Sequence, residues 1–415
     1  MALDSDADPE YISEHDDIVN ASDDQSGALT FGIDLQFLVA SVDDEGPDPT
    51  HGESRPLLRT PEWDDEDIMM RGEVYDAVEN HIVDILNCEG ELPIRYDKED
   101  GFYPPYDDNY TPIYGVWRIS CERSSIYEDE TGPYPYLWHE REISSVIMSS
   151  DDPICPTEIE KVCRTLRQAR IHLDETTSLY VHVGRGKESF SLLTIKKFAT
   201  LYWMTEEKIL SLHHPSRQSN CHCFFLTRMS KLATETSEEH IANERFLDTD
   251  RPEYMQEFVP SQLPTLLEAQ LRQIWACKDI EELELLMRKG PTVTGFYRGS
   301  VGFERLLPTG KSPRCKTKSF EWRQMAGCLD PESVIQWARV CIAFTDFART
   351  SSAEEFNDLL IIILELGSLY TGFDLLKSLG LHTEAEFFEK KVDGYAENQE
   401  MYPGQSAGNL FVPPL

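Results

Sequence analysis

Glu321 and Arg323 lie two apart in KSFEWRQMAG, residues 318–327, among Phe320 and Trp322. In an extended chain alternate side chains share a face, so Glu321, Arg323 and Met325 project one way and Phe320 and Trp322 the other. A half-buried antiparallel strand with a surface ion pair would read the same way. Repetition singles this segment out. In TFGIDLQF, residues 30–37, Asp34 and Gln36 oppose Ile33, Leu35 and Phe37. In YGVWRISCERS, residues 114–124, Arg118, Ser120, Glu122 and Ser124 oppose Trp117, Ile119 and Cys121. In SLYVHVG, residues 178–184, Tyr180 and His182 oppose Leu179, Val181 and Val183. In HEREISSVI, residues 139–147, Glu140, Glu142 and Ser144 share a face whose reverse is only partly apolar. Solvent-facing sheets are rich in Lys and Thr, whereas these faces carry single Asp, Glu, Gln, His and Arg residues, as a lined cleft does. Carboxylate oxygens with an imidazole are hard ligands for Mg²⁺ or Mn²⁺, and arginine is a forked donor for phosphate or carboxylate. The pattern predicts a nucleotide site with a metal.

The ordered segments FGIDLQ, WRISCERSS, REISSVI, LYVHVG, HPSRQSN and FEWRQMAGCLD resemble the motif series of the amidoligase family, which belongs to the glutamine synthetase-like carboxylate–amine ligases. The likeness spans roughly residues 29–345, and its sharpest part is the Glu-x-Arg-Gln run followed by Leu-Asp and a helix. The resemblance implies a curved antiparallel sheet whose concave side binds ATP and Mg (or Mn) and activates a carboxylate as an acyl phosphate for attack by an amine. By position it implies Asp34, Gln36, Glu142, His182 and Glu321 as metal ligands and Arg323 as a clamp on the transferring phosphoryl group. It likewise implies Arg217 as a partner of phosphate or substrate carboxylate, and Glu122, Asn220 and Gln324 as cofactor contacts. The chain departs from the family pattern in several places. Asp34 and Gln36 stand where two glutamates are usual, Glu122 where an aspartate is common, Tyr180 in place of the first histidine of a His-x-His pair, and Met325 and Ala326 in place of a frequent His-Glu. Gln36 offers a metal an oxygen without the charge that offsets Mg²⁺. The leading expectation is ATP-dependent amide-bond formation between a small-molecule or peptide carboxylate and an amine. The alternative is a catalytically degenerate relative that acts as a nucleotide-binding or protein-interaction module.

Other residue clusters carry less. HHPSRQSNCHC, residues 213–223, offers His213, His214, Cys221, His222 and Cys223, but lacks the separated pairs that close a zinc tetrahedron, and its Cys-x-Cys alternates across an expected strand. GRGKES, residues 184–189, lacks phosphate-loop spacing and reads as a strand-to-helix turn. No Ser-His-Asp or Cys-His set can be picked out, so hydrolase chemistry has no specific support.

The elements that must position these residues read as an α+β chain with an antiparallel sheet and a helical C-terminal region. Residues 1–27 form an acidic segment expected to be disordered, open to a protein partner. Residues 28–350 form the ligase-like domain, with an acidic, Pro-rich insertion at 39–67 expected to be a mobile surface loop. A helical extension covers 351–395, and a flexible tail covers 396–415, its apolar end available for docking. Helices are expected at about 73–87, from the Thr157/Glu160 capping spacing to about His172, and at about 191–212. The Tyr/Pro/Asp-rich stretch 97–112 reads as a loop at a substrate entrance. Two short helices are expected in the run from Leu263 to Lys289, and Asp330-Pro331-Glu332-Ser333 opens another.

A net charge of −37 argues against a nucleic-acid surface and an anionic membrane, because phosphate contacts need clustered Lys and Arg, and none precedes Arg55. No stretch reads as a signal peptide, and LLIIILEL is too short to span a bilayer. The ten cysteines lack paired CxxC spacing, so reduced thiols in a cytoplasmic or nuclear setting are expected.

Overall fold

The computed structural model describes residues 24–61, 68–90, 94–96, 116–120, 135–236, 250–290, 298–308, 318–397, 400–402, 405–406 and 410–415. Glu122, the loop at 97–112 and residues 1–23 lie outside the described residues. Period-two segments become strands of one large, mainly antiparallel sheet. Its centre is β1 (Thr30–Asp43), flanked antiparallel by β5 (Leu137–Ser144) and β8 (Ser178–Gly184). Beyond β8 come β10 (Ser319–Ala326) and then β9 (Val301–Gly302). Beyond β5 come β4 (Trp117–Ser120) and β3 (Ile94–Tyr96), the latter pair parallel. The short strands β2 (Leu58–Thr60), β6 (Met148–Ser149) and β7 (Ile171–His172) pair along the length of β1. The architecture is mixed α/β, with helices packed against an open sheet.

The apolar residues of each strand face the helices. Phe320 stacks on Phe198 of the Leu192–Leu210 helix at 3.8 Å between ring centroids, and Trp322 meets Trp337 and Phe344 of the Pro331–Thr350 helix edge-on. Both helices start as their sequences demand. Ser191 accepts from the Thr194 amide, and Asp330 accepts from the Ser333 amide with Pro331 at the first position. On the other wing Val74, Val78, Ile82 and Leu86 bring the Ile68–Gly90 helix into the same core.

Several boundaries moved. The helix at Thr157 runs Cys155–Leu166 with no side-chain cap, and Ile171 and His172 form β7, because Ile171 pairs with Val39. The first strand continues to Asp43, so residues 39–43 are sheet rather than insertion. The loop after it is anchored: Arg170 binds Asp48 through both terminal nitrogens at 2.8 and 2.7 Å, and Arg55 engages Glu53. Asp24 is buried and accepts from Ser191 N and the Arg185 guanidinium, so this part of the segment expected to be disordered is packed on the fold. The C-terminal apolar end docks on this chain itself: Val412 N donates to Ile171 O, and Phe411 is buried against Tyr136. Cys221 and Cys223 lie in a turn rather than a strand. Cys155, Cys163, Cys221, Cys223, Cys277, Cys328 and Cys341 carry free thiols. No helix among the described residues is long and apolar enough to cross a membrane.

Candidate functional site

Strand register brings the predicted polar residues to one face. Gln36 pairs with Glu142, Asp34 with Ser144, and Glu321 with His182; directly opposed residues in antiparallel strands point to the same side. Gly32, paired with His182, lies on the same face. The resulting cleft holds about 150 Å³, and its charged lining is Asp34, Glu142, His182, Arg118 and Arg305. Gly184 and Gly186 form one rim; Gly186 takes a positive φ of 65° and donates its amide to Thr30.

The acids are engaged with one another's neighbours. His182 Nε2 lies 2.7 Å from Asp34 Oδ2. Burial pushes the Asp34 carboxyl up, but His182 and Arg305 outweigh it and hold the group below its usual range. Gln36 Nε2 donates to Glu142 Oε2 at 3.0 Å. Glu321, 3% exposed, accepts from Arg323 Nη2 at 2.6 Å and lies 3.5 Å from Arg305 Nε. Burial opposes the charge on Arg305, yet Glu321 first, then Asp34 and Glu142, bind that charge more firmly than usual. Arg305 thus lies in the field of all three carboxylates, with Glu321 as its ion-pair partner.

Arg305 is held there by its neighbours. It lies in the short 3₁₀ turn Glu304–Leu306 after β9, between buried Phe303 and Leu306, and Phe303 packs edge-on against Phe198 and Phe320. Sequence reading missed it because a turn carries no period-two signal. Arg118 was placed on the polar face of its strand without being assigned a role, and it lines the cleft.

Other expected site residues are placed differently. Arg323, 5% exposed, donates to Glu321 and to Gly299 O at 2.9 Å, so its fork is committed within the fold. Gly302 permits this, since a Cβ there would come 2.8 Å from Arg323 Nη2. Arg217 is fully buried and donates to Arg323 O at 2.7 Å, supporting β10 rather than lining the cleft. Asn220 bridges Glu175 O and the His222 amide in a surface turn. Gln324 turns to the helix side, where it donates to the Tyr202 hydroxyl at 2.6 Å, which in turn donates to Ser300. Alternation alone takes it there with Phe320 and Trp322, and a bulge between Trp322 and Met325 then shifts the register. Met325 therefore pairs with Leu179 on the apolar face, not with Glu321 as strict alternation predicts.

The five residues expected to bind metal do share the polar face, but their arrangement does not fit a metal ion. Among the described residues no group of three His, Cys, Asp or Glu side chains is placed to hold one, and the same holds for the His213–Cys223 cluster. Asp34 faces His182, Glu142 faces the Gln36 amide nitrogen, and Glu321 faces two arginines. What the cleft can do chemically is bind opposite charges together: its arginines suit an oxyanion, and its carboxylates suit an ammonium group.

Fold and site together define a mixed α/β protein with a charge-balanced cleft on a large antiparallel sheet. No family model matches the chain, and no curated protein or solved structure matches it.

Proposed function

We propose that the cleft binds a small ligand bearing a carboxylate, an amine or both, and that the chain is a ligand-binding relative of the carboxylate–amine ligases. The observation that carries this reading is the lining: Arg118 and Arg305 face Asp34 and Glu142 in about 150 Å³. An engineered cavity of about that volume holds a benzene-sized molecule, whereas drug-sized ligands occupy about 300–1,000 Å³. An amino acid or a short amino or carboxylic acid suits this space better than a nucleotide does.

A second reading, ATP-dependent amide-bond formation with Mg²⁺, is supported by the meeting of Asp34, Gln36, Glu142, His182 and Glu321 on one face. It requires the acids to exchange their present partners for a cation. Titration calorimetry of the protein with pools of amino acids, carboxylates and amines, in chelator and then in Mg-ATP, separates the two. Binding in chelator, weakened about tenfold or more by Arg118→Ala, supports the first reading. Failure of every pool to bind would remove it, and ATP-dependent phosphate release with a carboxylate and an amine would establish the second.

A further inference from the structure

The cleft uses the Thr30–Asp34 end of β1. Toward the other end, where Val39 pairs with Ile171, the segment Leu410–Leu415 lies against the sheet. Its sequence, LFVPPL, has no polar side chain, so the fold holds it through its main chain. Val412 N donates to Ile171 O at 2.8 Å, as a strand added beside β7 would. Val412 O accepts from Arg55 Nη1 at 2.6 Å, Pro413 O accepts from Arg167 Nε at 2.5 Å, and Leu410 O lies 2.7 Å from His172 Nδ1. Two successive side chains fill separate pockets. The Phe411 ring lies 5.3 Å from that of Tyr136 and 6.1 Å from that of Trp138, with the Arg55 guanidinium 5.2 Å away. Val412, with no exposed surface, joins the main core. Pro413 has no amide hydrogen to satisfy, and two prolines in a row favour an extended chain.

The receiving residues are tied to one another as well as to the segment. Arg55 pairs with Glu53 at 2.6 Å and donates to Ala169 O, Arg170 binds Asp48 and the Arg55 carbonyl, and Tyr136 donates to Thr50. A groove organised in this way pays little ordering entropy when it takes up a peptide. Main-chain hydrogen bonds supply affinity, and the pockets for individual side chains supply selectivity.

We propose that Arg55, Tyr136, Trp138, Arg167, Ile171 and His172 form a peptide-binding groove for an extended aromatic–β-branched–proline segment of a partner protein, and that Leu410–Pro413 is its occupant in cis. The groove is separate from the cleft and does not depend on what fills it. Tethering gives the cis segment an effective concentration of about millimolar, so a partner strand must compete with it.

The probe is a fluorescently labelled peptide GNLFVPPL, residues 408–415, followed by anisotropy against the full chain and against its Phe411→Ala/Val412→Ala variant. The variant, freed of its own occupant, should bind the peptide saturably and at least about tenfold more tightly than wild type. Replacing the peptide's phenylalanine by alanine, or N-methylating its valine so that Ile171 O loses its donor, should weaken binding about tenfold or more; both changes leave the protein untouched. In case the variant folds poorly, wild type carries the same test by hydrogen exchange: millimolar peptide should speed exchange of the chain's own Phe411 and Val412 amides, and a scrambled peptide should not. A folded variant that binds GNLFVPPL no better than the scrambled sequence would overturn the proposal, as would wild-type exchange that the peptide leaves unchanged. A concentration-dependent wild-type dimer, lost in the variant, would give the groove to a second copy of this chain and overturn the partner assignment.

Discussion

Gln36 donates its amide hydrogen to Glu142 across 3.0 Å, on a face where Asp34 and Glu321 already bring negative charge. The amide supplies a donor that a carboxylate lacks. Gln36→Glu is therefore expected to lose this hydrogen bond and to set two carboxylates against each other. Each would have its pKa raised by the like charge. The cost should be about 1–3 kcal/mol at neutral pH and should shrink as acid protonates one of the pair, which denaturant melts at neutral and mildly acidic pH would check. A variant as stable as wild type at neutral pH would mean that Arg305 or a recruited cation absorbs the added charge. The same logic explains Arg323. Its guanidinium already joins Glu321 and Gly299 O, so its first contribution is to hold β10 against β9.

At the scale of elements, the cleft depends on β10 lying between two different environments. Its helix side is an aromatic layer of Phe320, Trp322, Phe198 and Phe344, and its other side is charged. The bulge after Trp322 lets one strand supply Glu321 and Arg323 to the polar side and Gln324 and Met325 to the interior. The C-terminal helices stiffen this layer from behind. Arg349, near the end of the Pro331–Thr350 helix, binds the carbonyls of Ser26 and Gly27. The next helix, Ala353–Leu366, opens with a reciprocal capping box between Ser352 and Glu355. Ser352→Ala should cost about 0.5–2 kcal/mol, read as a shift in the denaturant midpoint with an unchanged slope. No loss at all would show that water replaces the cap on this exposed helix start.

At the scale of the whole molecule, the two ends of the described chain close onto the sheet through arginines. Arg55 Nη1 donates to Val412 O at 2.6 Å, His172 Nδ1 lies 2.7 Å from Leu410 O, and the Arg55 guanidinium sits 5.2 Å from the Phe411 ring. The hydrogen bonds from Arg55 hold the Glu53 carboxyl down at about 2, and those from Arg170 hold Asp48 well below its usual value. A depressed carboxylate pKa contributes stability above the unfolded value that is lost as pH falls through the folded one. For Glu53 that window runs from 4.5 down to about 2. Acidification through it should loosen the 44–57 loop and the C-terminal segment first, seen as early proteolytic release of the C-terminus. Arg55→Gln should weaken this acid dependence, and an unchanged profile would place the acid-labile contacts elsewhere.

Which residues face which side was legible in the sequence, because a strand's alternation is a local property: Asp34, Gln36, Glu142, His182 and Glu321 do share a face. Helix starts were legible where a cap was encoded, as at Asp330. The contacts made across that face were not. That His182 meets Asp34, that Gln36 donates to Glu142, and that a bulge turns Met325 toward Leu179 depend on register between strands far apart in the chain. Arg305 was the least legible of all, since a turn residue has no periodicity and its position is set by the packing of Phe303 and Leu306. Alternation along the chain assembled a polar face, and only tertiary packing decided that Arg305 would join Arg323 beside Glu321.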